Sequence, residues 1–156
     1  MTDRDLWALD AIRRTRASLL ALADEIPAAA WHTVPAGFSN NVLWNVGHVA
    51  VTLDLLTYGL AGLDVPAGDA VAAFRKGTSP SGWAAPPDVA ATRRLLADGV
   101  DRLEADARAG RFDGAPFRPY TTTPGVTVAG LSDALAFDLY HEGIHLGSVL
   151  ALRRHL

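Results

Sequence analysis

A chain of 156 residues, 49% apolar and 20% charged, has the balance of a soluble globular domain with a substantial core and excludes intrinsic disorder. A net charge of −3 with no basic run argues against nucleic acid as a partner, and the absence of cysteine removes disulfides, thiolate metal ligands and a cysteine nucleophile. No apolar run reaches the roughly 18 residues a membrane span needs. The N-terminus carries early acids and no cleavable apolar stretch, so a cytoplasmic protein without membrane contact is expected.

Four long helical patterns occupy most of the chain. The first runs from about Asp3 to Ile26, with Leu6, Leu9, Ile12, Leu19 and Leu22 at helical spacing. Thr2 and Asp5 offer a start resembling a capping box, and Pro27 ends the helix. The second opens at Ser39 or Asn40 as N-cap and continues to about Leu60, before Gly62 and Pro66. The third begins near Asp88 and runs to about Ala109. The fourth begins between Gly130 and Ser132 and runs almost to the C-terminus. Helices of about 20 residues are about 30 Å long and match one another well enough for a bundle.

The connection over residues 61–87 is long enough to cross the bundle, so the second and third helices can run parallel. Val71 and Phe74 suggest a small helix inside it, and a link of this length suits a lid or pocket wall. Val126-Thr127-Val128 is too short to found a sheet. The expected class is all-α, a four-helix bundle with a long crossover between helices 2 and 3.

His141 and His145 stand one helical turn apart in the fourth helix. Residues so spaced share a face with Cβ atoms about 5–6 Å apart, close enough for both imidazoles to reach one ion. Five histidines scattered at random produce such a spacing often enough that the pair does not stand alone. A third histidine, His48, strengthens it. On the second helix Asn41, Asn45, His48 and Thr52 form a polar stripe, and residues 40–60 hold a single charge, Asp54, which falls off that stripe. A solvated face normally carries Lys, Glu or Arg. An uncharged polar stripe flanked by Trp44, Val51 and Leu55 reads better as a buried site, the alternative being a structural histidine whose hydrogen bonds are met.

Three neutral imidazoles with an open position describe a catalytic metal centre, and all-nitrogen ligation suits zinc, nickel, copper and iron alike. Asp138 shares the histidine face and is a candidate to orient a ligand imidazole, or else an interhelical hydrogen-bonding group. Glu142, at the edge of that face, reads as a surface charge, and without His-Glu-x-x-His a zinc protease is not indicated. Trp44, Asn45, Phe74 and the 61–87 link are candidate pocket walls. His32 and His155 read as bystanders. Gly143 and Gly147, mid-helix at a cost of about 1 kcal/mol each, suggest close approach of another helix or room for a ligand.

The segments Asn40-Asn-Val-Leu-Trp-Asn-Val-Gly-His48 and His141-Glu-Gly-Ile-His-Leu-Gly147 resemble those of the DinB-like (YfiT-like) metalloenzyme superfamily in order and placement, and the resemblance spans essentially the whole chain, 1–156, as one domain. It implies a four-helix bundle whose His48, His141 and His145 bind a divalent metal ion, zinc or nickel leading. Characterised relatives include transferases that use low-molecular-weight thiols, with a metal-bound thiolate attacking an electrophile. The resemblance therefore implies a small-molecule thiol and an electrophilic substrate as partners, and a homodimer. The alternatives it leaves open are a hydrolase acting through metal-bound water and a non-catalytic binding bundle.

Overall fold

The computed structural model describes residues 1–156. Helix α1 (Asp3–Asp24) starts with the expected capping box, in which Thr2 Oγ1 accepts from Asp5 N while Asp5 accepts from Thr2 N. Helix α2 (Val42–Asp54) is capped by Asn41, one residue beyond the expected positions, because its Oδ1 accepts from Trp44 N. The helix continues through Leu55–Gly59 as a single wide turn, Leu60 N bonding to Leu55 O five residues back. Helix α3 (Ala70–Phe74) is the short helix expected in the crossover. Helices α4 (Val89–Arg108, capped by Asp88) and α5 (Leu131–Arg153) complete the bundle. The segment Val126–Val128, too short to found a sheet, contributes only to a two-residue ladder in which Tyr120–Thr121 (β1) pairs antiparallel with Thr127–Val128 (β2), a hairpin closed by Gly125 at φ +88°.

Side-chain pairs fix the helix directions. Asp5, Arg16 and Glu25 of the α1 strip meet Ser132, Glu142 and Arg153 in ascending order, so α1 and α5 are parallel. Asp54 meets Arg102 and Tyr58 meets Asp106, so α2 and α4 are also parallel. Arg16 with Leu96 and Asp24 with Arg93 set α4 antiparallel to α1. Two parallel pairs opposed to each other require a crossover the length of the bundle between α2 and α4. The all-α four-helix bundle with a long crossover is thus the observed fold.

A buried ionic layer divides the core. One cluster includes Leu19, Val42, Val46, Phe74, Leu96 and Leu152; the other includes Leu9, Ile12, Leu53, Tyr58, Leu103 and Leu135. Between them Arg16 donates to Glu142 Oε1 (2.7 Å), to Leu96 O (2.9 Å) and to Val49 O (3.5 Å). Gly99 makes this possible, since a Cβ there would stand 2.8 Å from the Arg16 guanidinium. Glu142 is 0% exposed, which corrects its reading as a surface charge: its edge of α5 faces α1, not solvent.

Breaking such a pair from one side leaves an uncompensated buried charge. Arg16→Met is expected to cost about 3–5 kcal/mol in denaturant unfolding, and Arg16→Met with Glu142→Leu to recover most of it. A double variant no more stable than the single one would show that the pair is not the source of the loss.

Candidate metal centre

The three histidines meet between α2 and α5. His48 Nε2 and His145 Nε2 each lie 3.2 Å from His141 Nε2, and the three candidate ligand atoms all fall within 4.8 Å of one another. No other His, Cys, Asp or Glu group of three has this spacing. His32 lends only its carbonyl, to Asn41 Nδ2, and His155 rests against Phe38. Both are bystanders, as expected.

The polar stripe on α2 is buried rather than solvated: Asn41, Asn45 and His48 are 1%, 4% and 7% exposed. Its members decide which histidine nitrogen carries a proton. Asn45 Nδ2 donates to Asn41 O (2.8 Å), which turns Asn45 Oδ1 toward His145 Nδ1, also at 2.8 Å. An amide oxygen can only accept, so His145 Nδ1 is the protonated nitrogen and Nε2 holds the lone pair. His48 Nδ1 stands 2.6 Å from Phe74 O and is fixed in the same way. Two neutral imidazoles therefore aim lone pairs at the point where His141 Nε2 also arrives. At 3.2 Å from both, His141 Nε2 either donates its own proton to one of these lone pairs or, with that proton on Nδ1, completes a set of three nitrogens around a cation. The donor set and its tautomers fit a divalent metal ion.

Trp44 stacks on His48 (4.4 Å between centroids, 10° between planes), and its Nε1 donates to Thr78 Oγ1. It covers the imidazole without lining the cavity onto which the histidines open. The Phe74 ring packs against the site where Gly47 lacks a side chain; a Cβ there would sit 2.4 Å from it. Phe74 is thus a core residue whose carbonyl serves the site, not the pocket wall expected. Asp138 is fully buried, with Oδ1 3.9 Å from His141 Nδ1, beyond hydrogen-bonding range. Neither of its carboxyl oxygens has a donor, nor has His141 Nδ1 a partner. Burial, and then the neighbouring Glu142 carboxylate, push Asp138 well above the usual range.

His48 and His141 open onto a cavity of about 720 Å³. Leu55, Leu56 and Leu60 of the wide turn line one side and Phe137, Tyr140 and Ile144 of α5 another. The crossover contributes Arg75 and Lys76, and the link to α5 contributes Arg118 and the hairpin residues Tyr120, Thr122, Thr123 and Pro124. Arg75 and Lys76 fall in the 61–87 link expected to wall the pocket, whereas sequence reasoning missed Arg118 and the hairpin residues, because neither is periodic. Gly143 and Gly147 turn outward, with nothing within 4 Å, so no helix of the same subunit packs against them.

The fold and site together define a helical bundle with a three-imidazole cluster, compatible with a metal ion, beside a large cavity. The chain belongs to the DinB superfamily, whose family model matches residues 11–149. Among curated proteins none matches it. No helix is long and apolar enough to cross a membrane.

Burial, followed by the neighbouring imidazoles, lowers His141 to about 4 and His145 to about 3; burial lowers His48 as well. Protons therefore do not compete for these nitrogens at neutral pH. Zinc affinity, followed by competition titration with a chelator of known pH dependence, is expected to stay level from pH 8 to about 5 and to fall below that, as pH drops through the lowered values. A decline beginning at about 6.5 would mean that the imidazoles titrate as exposed ones do.

Proposed function

We propose that this protein is a divalent-metal-dependent enzyme that transfers a low-molecular-weight thiol to an electrophilic small molecule, with His48, His141 and His145 holding the ion, zinc or nickel. The observation that carries this reading is the meeting of three imidazole Nε2 atoms at the wall of a cavity of about 720 Å³, ample for a thiol together with its electrophile. An ion held by three imidazoles supplies a Lewis acid that lowers the pKa of a thiol or water at its open position. Asn45 and the Phe74 carbonyl keep His145 and His48 in the ligating tautomer, and Asp138 stands behind His141 as the group that would orient it.

The choice of thiol over water rests on the cavity lining, which contains no Asp or Glu. A hydrolase of this kind commonly needs a carboxylate base at the reacting water, whereas a thiol, with an ordinary pKa of about 8.5, needs far less help to ionise. Protein purified without added metal is expected to contain a stoichiometric divalent ion. His48→Ala should weaken its retention, and consumption of a chloronitroaromatic electrophile should require both metal and thiol. Turnover of esters or amides without thiol would select the hydrolase instead. Failure to take up any metal, with a melting temperature indifferent to chelator, would leave a non-catalytic bundle.

We also propose that a second copy packs on the outer side of α5. Leu150 is 39% exposed there beside the uncovered Gly143 and Gly147, and Tyr140 and Ile144, 55% and 48% exposed, continue this face to the rim of the cavity they also line. Sedimentation should find a dimer that Leu150→Asp converts to monomer; a wild-type monomer at micromolar concentration would refute the interface.

A further inference from the structure

The charge of the cavity is opposite to that of the chain. Its 17 lining residues include Arg75, Lys76 and Arg118 and no carboxylate, although the net charge is −3. Elsewhere most arginines are paired with acids, as Arg13 is with Asp101, Arg16 with Glu142 and Arg102 with Asp54, and only Arg4, Arg94 and Arg154 are not. None of the three cavity cations forms an ion pair. Lys76 Nζ donates to Thr123 Oγ1 (2.7 Å) and Arg118 to Gly59 O (3.2 Å), both neutral acceptors. Like charges gathered in a concave site repel one another and focus a positive potential into it. A bound anion offsets that repulsion.

The cations also have a definite relation to the histidines. Arg75 and Lys76 directly follow Phe74, whose carbonyl accepts from His48, so this part of the positive wall begins one residue from the histidine support. Arg118 enters from a different connection, its backbone N bonded to Leu60 O at the end of the wide turn. Between these groups lie Leu55, Leu56, Leu60 and Phe137, an apolar surface suited to a hydrocarbon or aromatic body.

We propose that the cavity binds an organic anion, a carboxylate or phosphate on an apolar body, with the oxyanion held by Arg75, Lys76 and Arg118. The body lies on the leucines and Phe137. Its orientation, with the reacting atom toward His48 and His141, rests on the proposed thiol-transfer function; the anion binding itself does not. Guanidinium groups suit this role because they meet oxyanions with paired hydrogen bonds.

The test is calorimetric titration with naphthoate, naphthyl phosphate and neutral naphthamide, first with chelator present and then with zinc. At least one anion is expected to bind at least about ten-fold tighter than the amide in both conditions, as charge-assisted bonds require, and to weaken with added salt. The better of the two anions identifies the head group. The combined Arg75→Ser, Lys76→Ser, Arg118→Ser variant should lose about ten-fold or more for that anion while leaving the amide unchanged. Equal binding of amide and anions, or undiminished anion binding in the variant, would overturn the proposal. So would binding seen only with zinc, because the ion and not the cations would then be the receptor. Because Lys76 is the single lysine, reductive methylation places one carbon-13 reporter on a side chain in the cavity. Its resonance should move with the anion and not with naphthamide, a readout that needs no folded variant; an unmoved resonance would remove Lys76 from the site. Metal-dependent turnover plays no part in any of these arms, so a failed enzyme and a failed anion site give different results.

Discussion

A neutral imidazole has one proton and one lone pair, and where that proton goes governs most of this structure. At His48 and His145 it is drawn to Nδ1 by acceptors that cannot donate, the Phe74 carbonyl and the Asn45 amide oxygen. The lone pairs must then point inward, toward His141. Each supporting group is held in turn. Asn41 caps α2 with its side chain and orients Asn45 with its carbonyl, so one residue starts the helix and, through Asn45 four residues on, selects the tautomer of His145. Gly47 lets the Phe74 ring press against α2, bringing its carbonyl to His48. The site is a consequence of how α2 begins and of what crosses it.

Charge is sorted across α5. His141 faces the cavity, while Asp138 and Glu142 turn to the interior, where Arg16 pairs with Glu142 and burial raises the Asp138 pKa. Any acid facing the cavity would have competed with an anionic ligand for Arg75, Lys76 and Arg118. Placing both carboxylates behind the histidines leaves those cations free and still supplies polar support on the inner side. The cost is an ionic layer through the core, tolerated because Gly99 admits the guanidinium and two backbone carbonyls accept from it.

The helices were legible because each carries its own punctuation: the Thr2–Asp5 box, the Asn run before α2, Asp88 after two prolines. The uncharged stripe of α2 was legible as a site because buried amides and imidazole must find polar partners, and a face without Lys, Glu or Arg is not built for water. Glu142 was not, since its partner lies 126 positions away. The signal for it was on α1, where Leu9, Ile12, Arg16, Leu19 and Ala23 share one buried stripe that a lone arginine interrupts. The Phe74 carbonyl was beyond reach for another reason. Backbone groups have no residue type, and only the path of the chain shows which carbonyl is left over. The wide turn at Leu55–Gly59 likewise has no marker in side-chain spacing, because it displaces the period by one residue over a single turn.

That path follows from topology. With α2 and α4 parallel, the chain leaving Gly59 must return along the bundle before Asp88 can start α4. The return route passes His48, and α3 ends there in an extended residue, Arg75, which releases the Phe74 carbonyl from helical bonding and sends two cations into the cavity. An up-down-up-down bundle would join these helices by a short turn at one end and leave the outer face of His48 to solvent. Here the connection that the parallel arrangement demands is also the element that fixes the histidine tautomer and charges the cavity wall. The crossover therefore couples ligand recognition to the histidine cluster within three consecutive residues, Phe74, Arg75 and Lys76.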